Sequence, residues 1–428
     1  MLRFYNLFRY ITNSSLFKAS GLYTTFSIIN ASIPFLLLPV LTRYLSPEDY
    51  GIIAMFGILV SIVGLFTGLS VHGAINRAYF EKDIDFKEYV ANCIYILGLS
   101  SLFTLIIVFI IKEYIYKFTG VPESWILIAV LVSFFQFLIL SNLVIHQAKL
   151  EAKKYGFIQL GQGLLNATLT IFLVVLMNMK WEGRLLAQLL SVIVFGIFSF
   201  IVIAKFWSKW KLNIEYIKHA LKFGVPLIPH TIGGILMVMT DRFIINNLLG
   251  TKEVGIYTAG LQIGMIIGLL ADSFNKAWAP WLFNKLNENN YETKIKIVKF
   301  TYAYFIGILT IALILGFSSP YIVSIMLGKD FYNAKDVILW IALGYAFNGM
   351  YYMVVNYIFY VYKTHILTWI TLFCGIVNIP LILYLTKING IIGTAQSNAI
   401  VLFISFMITW IFCMKVYKMP WSLRVETK

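Results

Sequence analysis

"LSPEDYGIIAMFGILVSIVGLF", residues 45–66, returns 204 positions later as "LGTKEVGIYTAGLQIGMIIGLL", residues 249–270, without a gap, placing Gly51 opposite Gly255 and Gly64 opposite Gly268. Each copy opens on a short polar turn and runs on as an apolar helix long enough to cross ~30 Å of hydrocarbon. The offset is close to half of the 428 residues. With six spans between equivalent points, both copies enter the membrane in the same direction. The halves therefore read as parallel repeats related by a pseudo-two-fold axis along the membrane normal.

Composition supplies the bilayer. Hydrophobic residues make up 60% of the chain and charged residues only 12%, with a mean hydropathy of +0.82; a soluble domain carries about 25% charged residues. Apolar runs of helical length predict an all-α integral membrane protein with about twelve spans: 18–42, 50–72, 90–111, 124–146, 156–178, 185–206, 222–249, 254–275, 298–320, 336–360, 365–386 and 391–414. They divide into two six-helix bundles, 1–208 and 209–428, with the basic segment from Lys205 to Lys218 as the link. The N-terminal "MLRFYNLFRYITNSSLFKASG" lacks a compact apolar core followed by a small-residue cleavage site, so the first span is expected to remain as an anchor.

Charge fixes the expected topology. With the N-terminus inside, 24 of the 34 Lys and Arg fall in cytoplasmic segments, nine in outer segments and one, Arg242, within the membrane. This bias obeys the positive-inside rule and puts both termini in the cytoplasm. The formal charge of +15 then reads as topology and contact with anionic membrane lipids, not as nucleic-acid binding.

The loops are too short to house a soluble catalytic domain, so no enzyme is expected. "DID", residues 83–85, has a spacing used for a divalent metal and a sugar nucleotide, but no nucleotide-binding sheet surrounds it. A phosphate loop of the GxxxxGK[ST] type is missing, and the five histidines lack the i, i+4 spacing of a zinc helix. Cys93, Cys374 and Cys413 fall in separate spans and read as core packing. No metal or other cofactor is expected; proton or sodium coupling stays open.

Two bundles able to rock against each other describe a transporter with its substrate near mid-membrane. Pro34 and Pro39 in the first span, and Pro226 and Pro229 in the seventh, are expected to interrupt their helices. Gly64, Gly68, Gly260, Gly264 and Gly268 mark close-packing faces. Inside the seventh span lies "TDRF", residues 240–243. A charge at mid-bilayer costs about 2.5–3.5 kcal/mol on insertion scales, so Asp241 and Arg242 call for a reason.

"LLLPVLTRYLSPEDYGIIAMFGILVSIVGLFTGLSVHGAINRAYF", residues 36–80, resembles the opening of polysaccharide-biosynthesis flippases: a span, an L-S-P-E-x-Y-G turn, and a second span ending in Arg. "FGVPLIPHTIGGILMVMTDRFIINNLLGTKEVGIYTAG", residues 223–260, is similar to that family's seventh and eighth spans, and "NKAWAPWLF", residues 275–283, to the segment after them. The resemblance implies a Wzx-like flippase of the multidrug/oligosaccharidyl-lipid/polysaccharide exporter superfamily. It would carry a polyprenyl-pyrophosphate-linked oligosaccharide across a bacterial or archaeal cytoplasmic membrane for O-antigen, capsule or similar surface polymers, with polysaccharide polymerase machinery as a further partner.

A pyrophosphate crossing the bilayer needs its charge compensated, and the planar Arg fork matches phosphate oxygens. The cationic candidates are Arg242, Arg77 at the inner end of span two, Lys276 at the inner end of span eight, and Arg43 at the outer end of span one. Asp241 would be the charge partner of Arg242 or a coupling carboxylate. Two alternatives remain open from the residues: Asp241 and Arg242 as a structural ion pair, and a cation-coupled multidrug extruder of the same superfamily.

Overall fold

The computed structural model describes residues 15–288 and 290–422. The N-terminal and C-terminal stretches carrying the signal-peptide and terminus expectations lie partly or wholly outside them. Among the described residues the secondary structure is helical, without strands. Among the described residues ten helices are long and apolar enough to cross a membrane. The last of them, His365–Val416, folds back at Gly390 (φ 59°, ψ −141°), and Leu227–Leu249 adds a further helix of spanning length, giving the twelve expected.

Contacts divide the chain into two compact units, Met1–Phe243 and Ile244–Lys428. The first holds α1 (Ser15–Tyr44), α2 (Pro47–Gly68), α3 (Val71–Ala78), α4 (Phe86–Thr119), α5 (Glu123–Ala148), α6 (Ala152–Thr170), α7 (Lys180–Val202), α8 (Ile214–Gly224) and most of α9 (Leu227–Leu249). The second continues with α10 (Thr251–Gly264), α11 (Ile266–Asn287), α12 (Tyr291–Phe317), α13 (Ser319–Met326), α14 (Lys335–Tyr360) and α15 (His365–Val416).

The repeated motif starts a helix at equivalent places, since Pro47 and Thr251 are 204 residues apart. In the first copy Ser46 and Asp49 form a reciprocal capping box: Ser46 Oγ accepts the Asp49 N–H at 3.1 Å and Asp49 Oδ2 accepts the Ser46 N–H at 3.0 Å, with Pro47 where no helical N–H is needed. In the second copy Gly250, at φ 96°, makes the turn. The glycines then build the same kind of seam in each unit. On α2, Gly64 and Gly68 face Ser133 and Phe137, one turn apart on α5; on α10 and α11, Gly260, Gly264 and Gly268 face Val337, Ile341 and Tyr345, at successive turns of α14. A methyl on Gly264 would stand 2.5 Å from Ile341 Cγ2. The absent side chains are what let these backbones approach.

Several boundaries differ from the sequence expectation. The span read as 50–72 ends at Gly68, because Leu69 and Ser70 both take left-handed φ (40° and 54°); α3, with Arg77, is a separate short helix. Pro34 and Pro39 do not interrupt α1, which runs through both. Pro226 lies in the turn before α9 and Pro229 in its first turn, where an N–H has no helical acceptor to lose. They mark a start, not a break.

The segment expected to link the halves is folded onto the first unit. Asn213 donates through Nδ2 to Glu88 Oε1 and through its N–H to Asn92 Oδ1, both at 2.9 Å, and Tyr89 OH meets His219 Nδ1 at 3.0 Å. Asp85 of the "DID" stretch is the N-cap of α4, accepting from the Lys87 and Glu88 N–H groups. The Glu88 amide and Lys209, 3.3 Å away, hold the Asp85 carboxyl below its usual range although burial opposes them. This local work accounts for Asp85 without a metal.

Candidate functional site

Asp241 and Arg242 sit within α9. Asp241 is only 7% exposed, and its Oδ1 accepts the Arg242 backbone N–H at 2.7 Å; the Arg242 side chain is partly buried. Adjacent helical side chains point about 100° apart, so the two charges serve different directions. Both residues are engaged by neighbours.

The other three predicted cations differ in their surroundings. Arg77 Nε lies 2.9 Å from Glu81 Oε1, one turn on, and its guanidinium is 5.8 Å from the Phe223 ring centre. Lys276 Nζ lies 2.7 Å from Asp272 Oδ2, one turn back. Both lysine and arginine side chains are mostly exposed, at 69% and 62%. Such i, i+4 pairs contribute about 0.3–0.5 kcal/mol each, so an incoming anion could displace the carboxylate at small cost. Arg43 is exposed in the last turn of α1. Arg43 and Arg77 stand in the last turns of α1 and α3, with the whole of α2 between them in the chain.

A cation that the charge pattern assigns to an outer segment has the most distinctive setting. Arg184 is inside α7, which begins at Lys180, earlier than the span expected from residue 185. Its Nη1 donates to Asn166 Oδ1 at 2.7 Å and approaches Thr170 Oγ1 at 3.4 Å, both on α6, with the Tyr50 hydroxyl in electrostatic reach. Among the described residues no carboxylate comes within 4.0 Å of it. Its place near the positive end of the α7 dipole adds no stabilisation. Immediately after Thr170 the helix widens into a π-turn segment, Ile171–Leu176, the kind of irregularity that recurs at functional sites. The signal for Arg184 in the sequence is "WEGRLLAQLL", an amphipathic helix start that hydropathy takes for a loop because two charges precede the apolar run.

Two asparagines on the helices have different settings. Asn356 is 3% exposed and bonds Asn275 and the Tyr352 carbonyl, which is helix packing; Asn166 instead faces Arg184. A cavity of about 820 Å³ in the first unit is walled almost wholly by apolar side chains, including Leu59, Phe66, Phe103, Ile107, Ile111 and Leu221. It suits a hydrocarbon chain and no phosphate. Among the described residues, no three His, Cys, Asp or Glu side chains are grouped to hold a metal, and the three cysteines are buried and free.

Comparison with known proteins places this architecture. A family model described as polysaccharide biosynthesis protein matches residues 16–286, and one described as MatE matches 226–384. A Haemophilus influenzae protein named "Uncharacterized membrane protein" is 27% identical over 393 residues, covering 89% of this chain and 91% of its own. The capsular polysaccharide biosynthesis protein CapF of Staphylococcus aureus is 25% identical over 345 residues, covering 75% and 80%. Two solved structures share the fold. An inward-facing multidrug resistance MATE family transporter of the MOP superfamily has a TM-score of 0.72 at 12% identity, covering 93% of this chain and 96% of that one. The lipid II flippase MurJ in an inward closed conformation has a TM-score of 0.71 at 18% identity, covering 92% and 87%. The fold is the one these two named transport proteins share. The repeat, the twelve spans and a family match extending over more than half of the residues agree: the chain belongs to the polysaccharide biosynthesis protein family.

Proposed function

We propose that this chain carries a polyprenyl-pyrophosphate-linked oligosaccharide from the cytoplasmic to the outer leaflet, by alternating access of two six-helix bundles, 1–208 and 209–428. The observation that carries the reading is the polysaccharide biosynthesis match over residues 16–286. The names of CapF and MurJ support it, as does Arg184, a cation left without a carboxylate in a chain that would move an anion. Arg242, Arg77, Lys276 and Arg43 join Arg184 as pyrophosphate-compensating groups, Asp241 is the charge partner or coupling residue, and the apolar cavity beside α4 accepts part of the polyprenyl tail. Loss of the protein leaves lipid-linked glycan on the cytoplasmic side and strips the polymer from the cell surface. In liposomes the purified protein should expose a polyprenyl-linked oligosaccharide to an external glycosidase. Export of cationic dyes without glycan movement would instead establish the drug extruder.

The proposal includes a cytoplasmic-membrane location with both termini inside. Lys211 and Lys252 are exposed and separated by one span, α9. Single cysteines at Lys211→Cys and Lys252→Cys, with the native cysteines replaced by Ser, are expected to label from the cytoplasmic and outer sides respectively. Labelling of both from one side would remove the topology.

A further inference from the structure

Four helix ends of the first unit meet where α4 and α6 begin and α5 and α7 finish. They enclose a cavity of about 580 Å³ that the transport reading does not use. Its rim carries Lys87, Lys153 and Lys154 with His146, and its walls are Phe157, Ile158, Phe198, Val202, Phe206 and Trp207. The α7 helix closes it by widening into a second π-turn segment, Ile203–Trp207, after which the Lys209 N–H donates to the Lys87 carbonyl at 3.1 Å. The enclosure therefore depends on the fold of all four ends, not on one helix terminus.

Charge and apolar surface are arranged in sequence along the cavity. Glu151, between α5 and α6, is the acid bonded to two rim residues, His146 Nδ1 at 2.6 Å and Lys154 Nζ at 3.1 Å, and it also lies 3.5 Å from Lys149 Nζ. Burial would raise the Glu151 carboxyl, but the His146 and Lys154 bonds and the nearby Lys149 hold it below its usual range. Lys149 also lies over the Trp207 ring, 4.3 Å from its centre. That leaves Lys87 and Lys153, exposed and with no carboxylate within 4.0 Å among the described residues. In the same cavity Phe157, Phe198 and Phe206 are 64%, 40% and 53% exposed, with Phe157 and Phe198 edge to face at 6.1 Å. Exposed aromatic side chains lining one cavity together with lysines match one kind of ligand, an anionic head on an acyl chain.

We propose that this cavity is a binding site for one anionic phospholipid, its phosphodiester between Lys87 and Lys153 and an acyl chain along Phe157, Phe198 and Phe206. A zwitterionic lipid would set its own cation against the rim and gain less. The bound lipid ties together the ends of α4, α6 and α7, and so stabilises the first unit. The assignment stands independently of what cargo the protein moves.

The test uses the full-length protein in nanodiscs of phosphatidylcholine with or without phosphatidylglycerol. Thermal midpoints are read by tryptophan fluorescence, and lipid retained after detergent extraction by native mass spectrometry. Wild type should keep one phosphatidylglycerol and melt higher in its presence. Lys87→Gln/Lys153→Gln should lose retention by about 25-fold, on a scale of roughly fivefold per lysine at a membrane surface. It should also lose the thermal gain while melting as wild type does in phosphatidylcholine alone. Lys87→Arg/Lys153→Arg, which keeps both charges, should retain the lipid, and Lys296→Gln/Lys299→Gln, which removes the same charge from α12, should leave retention unchanged. Equal protection by phosphatidylcholine overturns the proposal. So does the same thermal gain from inorganic phosphate without anionic lipid, and so does retention that survives in Lys87→Gln/Lys153→Gln or falls equally in Lys296→Gln/Lys299→Gln.

Discussion

Under the proposed function, Asp241→Asn/Arg242→Gln protein is expected to reach the membrane at near-normal abundance yet to move lipid-linked glycan at least tenfold more slowly than wild type. A single neutralisation cannot make this distinction, because removing one charge orphans the other, and an orphaned buried charge is costly whatever its role. Asp241, at 7% exposure, is the more buried of the two. The double variant removes both charges. If the two residues serve only each other and the fold, transport returns with abundance. If Arg242 meets the cargo phosphate, the protein accumulates and transport does not recover. Tenfold corresponds to about 1.4 kcal/mol of lost cargo stabilisation. Arg242→Lys should retain part of the rate, since the charge survives and the bidentate fork does not. Normal transport by a well-expressed double variant would assign the pair to bracing.

Arg184→Met separates function from structure in the opposite way, through the sign of its effect on stability. A partly buried cation held only by neutral oxygens is imperfectly compensated, and replacing poorly compensated buried charge with an apolar side chain of similar length is often stabilising. The cost of the substitution falls on Asn166 Oδ1, which loses the Arg184 donor at 2.7 Å but belongs to a partly buried residue, while Thr170 Oγ1 keeps its bond to the Asn166 carbonyl at 2.7 Å. The expected result is an unchanged or raised thermal midpoint together with a transport rate reduced at least tenfold, and partial recovery in Arg184→Lys. A midpoint that falls in step with transport would make Arg184 a brace between α6 and α7 and withdraw it from the cargo path.

Some of the candidate site is legible in residue spacing. Glu81 stands four residues after Arg77 and Asp272 four before Lys276, so both ion pairs follow from helical geometry alone. Likewise Asp85, followed by a run of apolar residues, carries an N-cap signature. Arg184 is not legible in that way. Its bonds reach back 18 and 14 residues across a turn to α6, and no periodicity within one helix registers them. The break at Leu69 and Ser70 also escapes the sequence, because hydropathy continues through a turn in which both residues take left-handed φ.

The sequence by itself determined the membrane class, the twelve spans, the internal repeat and where its helices begin. Each of these depends on local quantities: the transfer cost of consecutive side chains, a Ser-Pro-Glu-Asp cap, and glycines at one-turn spacing. Only the tertiary structure decided which cations are compensated and by what. It closed the lysine-rimmed cavity from four helix ends and fastened the basic segment after α7 to Glu88, Tyr89 and Asn92. The physical reason is range. Desolvation and capping act within a few residues along the chain, whereas the compensation of Arg184 depends on distances of about 3 Å between groups that meet only when helices pack.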